Sequence, residues 1–154
     1  MLHRYRFHSV WDLPAEPRRV YRVLADPSCY PRWWPEVREV RRLDEHSGVM
    51  RVRSLLPYEL SVVVHETRQD PVAGVLEARL DGDIEGVTRW TVSSCGEGAS
   101  VAEFFEDVEA CKPLLRRFAV PGRPLFRANH TVMMRHGHVG LVRHLAVGSI
   151  GLDQ

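Results

Sequence analysis

The sequence predicts an α+β fold: a curved antiparallel sheet of seven strands wrapped around one long C-terminal helix, with two short helices after the first strand. Three observations predict it. From Glu36 to Val108 the hydrophobic period is alternating rather than helical. Short turn signals separate the alternating runs, which calls for an antiparallel meander, because parallel pairing needs a long crossover. The longest helical pattern stands last, where a single helix can cover the buried face of such a sheet.

Tyr5–Asp12 alternates bulky and polar residues and reads as the first strand, broken by Leu13-Pro14-Ala15. Val20, Val23 and Leu24 recur at helical spacing, so a helix starts within a few residues of Pro14 or Pro17 and stops at Asp26-Pro27. A second short helix is expected from Pro27 to Trp34, with Pro31 in its first turn and Tyr30, Trp33 and Trp34 forming an aromatic face. Strands then follow at Val37–Leu43, Val49–Leu56, Leu60–Gln69, Val75–Leu80, Val87–Ser94 and Ala99–Val108. Their turns are marked by His46-Ser47-Gly48, Pro57, Asp70-Pro71, Asp81-Gly82-Asp83 and Gly96-Glu97-Gly98. Lys112–Pro124 reads as a connector, and Leu125–Val147 is the long helix.

A chain of 154 residues fits a single domain, residues 1–154, able to bury roughly 70% of its extended surface. A formal charge of +1 gives no electrostatic reason to expect nucleic acid, which needs a concentrated basic face. Lys112 is the only lysine, an arginine bias that fits a high-GC bacterial genome. Cys29, Cys95 and Cys111 have no CxxC spacing and read as buried free thiols in a reducing compartment. Residues 1–13 lack the apolar core of a leader, and no run approaches the ~20 apolar residues of a membrane span, so a cytoplasmic location is expected.

The run Pro-Ala-Glu-Pro-Arg-Arg-Val-Tyr-Arg-Val-Leu-Ala-Asp-Pro (14–27), followed by Tyr30-Pro31-Arg32-Trp33-Trp34-Pro35 and a meander, is distinctive. So are Asp83-Ile84-Glu85-Gly86 with Arg89-Trp90, and Asn129-His130 with Met133-Met134-Arg135, Gly137 and Gly140-Leu141. With these features the chain resembles the polyketide cyclase/dehydrase-like branch of the START and birch-pollen-allergen superfamily over essentially its whole length. The resemblance implies a helix-grip fold, with a cavity shared by the long helix and the concave side of the sheet. It is specific for fold and poor for chemistry, because that superfamily holds binders, transporters, cyclases and co-chaperones.

At ~100° per residue, Phe126, His130, Met133, Met134, Gly137, Leu141 and His144 fall in one arc of the helix, while Arg135, Val139 and Arg143 point the other way. Methionines suit a deformable pocket wall. Gly137 and Gly140 each cost roughly 0.5–1 kcal/mol relative to Ala inside a helix, so either close packing or space for a ligand is expected there. On the strands, the more apolar parity set is Met50, Val52, Ser54, Leu76, Ala78, Leu80, Trp90 and Phe104, expected inside. Arg51, Arg53, Glu77, Arg79, Arg89 and Glu103 are then expected outside, as cross-strand ion pairs worth little individually. A bulge at Gly82 or Gly86 would bring Glu85 or Arg89 inward instead, and His65 fits either face. Tyr30, Trp33 and Trp34 are expected near the cavity mouth, where they either gate a ring-shaped ligand or cap the core.

His130 is the candidate acid–base residue, with a histidine bonded to backbone as the competing account. The helix histidines do not make a metal site: His136 and His138 lie on opposite sides, and His130 and His144 are ~21 Å apart. No metal or organic cofactor is expected. No GxSxG elbow supports a serine nucleophile, and Gly96-x-Gly98 is a turn rather than a phosphate loop. Three readings follow. The first is a monomeric or homodimeric module binding an apolar small molecule, such as a polyketide, lipid or similar aromatic metabolite. The second is a cyclase or dehydratase acting on such a ligand, and the third is a protein-interaction module. Two or more convergent polar groups beside His130 would favour chemistry, and a filled cavity would favour the third.

Overall fold

The computed structural model describes residues 4–53, 59–111 and 123–150. β1 (Arg4–Leu13) leads into α1 (Pro17–Leu24), a 3-10 turn (Pro27–Cys29) and α2 (Tyr30–Trp33). Six strands follow: β2 (Val37–Arg42), β3 (Ser47–Val52), β4 (Leu60–Asp70), β5 (Val75–Gly82), β6 (Ile84–Gly96) and β7 (Ala99–Ala110). The long helix α3 (Arg123–Ile150) ends the described chain. The seven strands form one antiparallel sheet in the order β1-β7-β6-β5-β4-β3-β2. The α+β helix-grip architecture is therefore the one expected. Expected features at Ser54, Leu55, Leu56 and Pro57, and in the connector from Lys112 to residue 122, lie outside the described residues.

Only local chemistry shifts the boundaries. The turn expected at His46-Ser47-Gly48 lies earlier, because the backbone N–H groups of Leu43 and Asp44 both reach the Ser47 carbonyl, at 2.9 and 3.3 Å. The Asp44 carboxylate also accepts the His46 N–H at 2.8 Å, an Asx turn that closes the hairpin and lets β3 begin at Ser47. At Asp81-Gly82-Asp83 the strands run almost to the corner. Gly86 has φ +152°, and a Cβ there would strike the Asp107 carbonyl oxygen, so glycine is required for this close approach. No bulge forms at Gly82 or Gly86: Ile84 to Ser94 pairs with β7 in unbroken register, and Glu85 and Arg89 stay outside. The described thiols are not buried as expected. Cys95 is exposed, Cys29 and Cys111 are half-buried, and no disulfide joins them.

Why α3 lies where it does follows from its glycines. A Cβ on Gly140 would collide with the Trp33 carbonyl oxygen, and one on Gly137 would lie 2.6 Å from Trp34 Cε2 and 3.0 Å from Trp11 Cη2. The helix therefore presses its middle against α2 and β1. Leu141 and Leu145 are buried beside it, and the Leu145 carbonyl accepts a hydrogen bond from Arg19 of α1. His136 bonds the buried carboxylate of Glu36, and His138 Nε2–H donates to the Asp12 carbonyl at 2.8 Å. The N-terminal half of α3 is tied down through side chains instead: the Arg123 guanidinium donates to the Arg4 carbonyl and Trp34 Nε1–H to the Met133 carbonyl, each at 3.0 Å. The core divides accordingly. One cluster gathers Trp11, Trp33, Trp34, Trp90, Leu141 and Leu145; a smaller one holds Tyr5, Val62, Leu80, Val108 and Ala110.

Candidate functional site

A cavity of about 250 Å³ is lined by residues of both core clusters, under the N-terminal half of α3. That volume is near the low end of small-molecule pockets, which run from ~300 Å³ upward. Strand parity supplies its walls. Met50, Val52, Leu76, Ala78, Leu80, Trp90 and Phe104 line it, on the face where alternation placed them, together with Val62 and Val64 of β4. From α3 come Phe126, His130, Met133 and Met134, and from the segment after α2 comes Trp34.

Three expected lining residues lie elsewhere. Gly137 and Leu141 are on the expected arc but beyond the cavity, in the seam where α3 meets Trp11 and α2. Trp33 is also packed into that seam, 4% exposed, with its ring 4.9 Å from Tyr30 and 5.3 Å from Trp34. A helix 28 residues long crosses both the void and the seam, so one face of it serves two surroundings. Gly137 and Gly140 thus serve close packing rather than ligand space.

The outer face carries the ion pairs. Arg89 meets Glu77 at 2.7 Å, Arg79 meets Asp81 at 3.3 Å, and Arg51 meets Glu39 and Glu59. Arg53 and Glu103 are exposed there too, and His65 sits between Ser47 Oγ at 3.0 Å and Asp81 at 3.1 Å.

Inside, the largely apolar wall carries a buried polar pair. His130 Nε2 lies 3.0 Å from Glu106 Oε2, and the two side chains are only 11% and 10% exposed. The imidazole lies flat on Phe7, centroids 3.6 Å apart and planes 8° apart, so its orientation is fixed from both sides. Glu106 comes from β7, opposite Phe7 on β1 and Thr88 on β6. Thr88 in turn faces Ala78, which faces Glu66 on β4. A row of Glu66, Thr88 and Glu106 therefore crosses the concave floor, all of it lining the cavity along with Asn129. Glu66 sits at the rim, held by Gln69 Nε2 at 3.1 Å and lying 3.6 Å from His46 Nδ1.

Sequence reasoning did not single out Glu106. The signal was present: Phe104 is expected inside, and two residues on, parity returns to the same face. A carboxylate in an apolar strand does not stand out when its partner lies 24 positions away on another element. The hydrogen bond between Nε2 and Oε2 lies where little water competes for either atom. Such a group can take a proton from a bound molecule or give one to it.

A protein-family profile described as "Polyketide cyclase / dehydrase and lipid transport" matches residues 13–127. No curated protein matches at the sequence level. Among solved structures, a protein from Thermus thermophilus is 16% identical with a TM-score of 0.82, covering 94% of this chain and 99% of that one. The Zhui aromatase/cyclase from Streptomyces sp. R1128 is 13% identical with a TM-score of 0.78, covering 92% and 93%. A START superfamily protein from Mycobacterium smegmatis is 18% identical with a TM-score of 0.71, covering 90% and 95%. At these identities the likeness establishes the fold. No helix among the described residues is long and apolar enough to cross a membrane.

Proposed function

The chain belongs to the polyketide cyclase / dehydrase and lipid transport family, and from that premise we propose that its cavity binds an apolar small molecule of polyketide, lipid or similar aromatic type. The observation that carries this reading is the 250 Å³ void with largely apolar walls and the buried hydrogen-bonded pair His130–Glu106 set into it. Apolar burial drives association at about 25 cal/mol per Å², and the pair orients a carbonyl or hydroxyl of the ligand. Native mass spectrometry and solvent extraction of protein purified from its own source test it. A co-purifying apolar molecule is expected. Protein that emerges empty and leaves Trp34 and Trp90 fluorescence unchanged on addition of fused-ring aromatics overturns it.

A second reading is favoured by the same pair together with Thr88 and Glu66: acid–base chemistry of the cyclase or dehydratase type. For a β-hydroxy carbonyl ligand the step balances without an oxidant. The pair takes the proton from the carbon beside the carbonyl, the carbon–hydroxyl bond breaks, and the departing oxygen takes that proton and leaves as water. Positioned proton transfer of this kind contributes roughly 10²–10⁴ in rate. His130→Gln and Glu106→Gln are then expected to lose turnover by that factor while binding changes by only about two- to threefold. Ligand recovered unchanged from the wild-type protein over the same time leaves the binding reading alone standing. The open cavity gives no support to a protein-interaction role.

A further inference from the structure

We propose that the ligand carries a second hydrogen-bonding group, a hydroxyl or carbonyl oxygen remote from His130, and that the Tyr5 hydroxyl receives it. This rests on the cavity-binding reading above and adds a chemical class to it: a rigid apolar body with a polar atom at each end.

Tyr5 points inward from β1, opposite Val108 of β7, and lines the cavity at 5% exposure. Its ring is clamped. Phe7 stacks on it at 6.0 Å, Phe126 meets it edge-on at 5.9 Å, and the Arg123 guanidinium lies 4.8 Å over it. The hydroxyl is buried and has no hydrogen-bond partner among the described residues. The other two described tyrosines differ: Tyr21 donates to the Val75 carbonyl at 3.3 Å and Tyr30 to the Leu24 carbonyl at 2.6 Å. Native structures rarely leave a buried hydroxyl unpaired, and a cavity wall is where a ligand atom can complete it.

Position sets the shape of the ligand. Tyr5 stands two residues along β1 from Phe7, about 7 Å along the strand, with the two rings 6.0 Å apart and His130 stacked on Phe7. A fused two-ring body is long enough to lie across both rings. Burial pushes the Tyr5 pKa up, against the pull of Arg123 and Arg127, so the group stays an O–H donor at neutral pH.

Quenching of Trp34 and Trp90 by naphthalene, 2-naphthol and 2,6-dihydroxynaphthalene, with wild-type protein and Tyr5→Phe, tests this. In the wild type the second hydroxyl is expected to tighten binding roughly tenfold, equivalent to ~1.4 kcal/mol. In Tyr5→Phe that increment disappears, while 2-naphthol keeps its affinity. The thermal midpoint of the empty variant is expected to be unchanged or higher, because a buried unpaired group has been removed. Equal affinities for the two hydroxylated probes in the wild type, an increment retained in Tyr5→Phe, or a lowered midpoint overturns the role of Tyr5 and leaves the cavity reading intact. Failure of all three probes to quench, in protein that also emerges empty from its own source, overturns the cavity reading itself.

Discussion

His130 illustrates how little a residue means without its neighbours. On the helix alone it is a histidine in an apolar arc; against Glu106 and Phe7 it becomes half of an oriented, mostly buried hydrogen-bonded pair. Replacing Glu106 by Leu leaves Nε2 without its acceptor in an apolar setting, and the expected cost is about 1–3 kcal/mol, read as a shift in the urea midpoint. Glu106→Gln keeps a hydrogen bond and is expected to cost less than half as much. Tyr30 supplies a second residue-scale expectation. Its hydroxyl is buried against the Leu24 carbonyl, and burial pushes its pKa well above the ordinary value near 10. The stability it contributes is complete below about pH 10 and is lost as pH rises further, because only the unfolded chain then releases the proton. Tyr30→Phe is expected to flatten the alkaline decline in stability above about pH 10.

At the scale of the element, α3 does two jobs along one face. Its glycine pair lets the middle of the helix close onto α2, and Phe126, His130, Met133 and Met134 roof the void before that point. Gly140→Ala is expected to destabilise by about 1–3 kcal/mol through overpacking against the Trp33 backbone, although Ala gains up to ~1 kcal/mol in helix propensity. Val139→Ala on the outer side, where the side chain is 46% exposed, is expected to stay within about 0.5 kcal/mol. Equal effects at the two positions in denaturant titrations would remove the close-packing account. The sequence showed that both glycines carry a cost and so need a reason. It left two reasons open, because the choice depends on which side chains lie opposite, and those come from residues 11, 33 and 34.

For the whole molecule, a divided core is the feature that matters. Filling the gap should cost no fold and abolish binding: Ala78→Phe is expected to leave the thermal midpoint unchanged or raised, while fused-ring aromatics no longer quench Trp90. A lowered midpoint would show that the void is collapsed in solution. Acid stability is also a property of the whole surface. Asp107 is held below the usual carboxylate pKa by hydrogen bonding to Arg4, Asp26 by Ser28 and Cys29, Asp44 by the His46 N–H and Asp70 by the Ala73 N–H. Folded values below the unfolded ~3.9 mean that this stabilisation is full above that pH and drains away as pH falls through the folded values. A stability profile is therefore expected to be level near neutrality and to fall below about pH 4, less steeply in Arg4→Gln.

By itself the sequence determined the number and order of the elements, the meander and the apolar set that faces inward. Each of these rests on a period of 2 or 3.6 residues and on turn chemistry, which are local and survive in a single chain read end to end. Tertiary structure alone decided that Glu106 meets His130, that Gly137 and Leu141 close a seam instead of lining a void, and that the Tyr5 hydroxyl is left unpaired. Those outcomes depend on how far the sheet curves and where α3 parts from it, distances set jointly by residues far apart in the chain, and no local period encodes them.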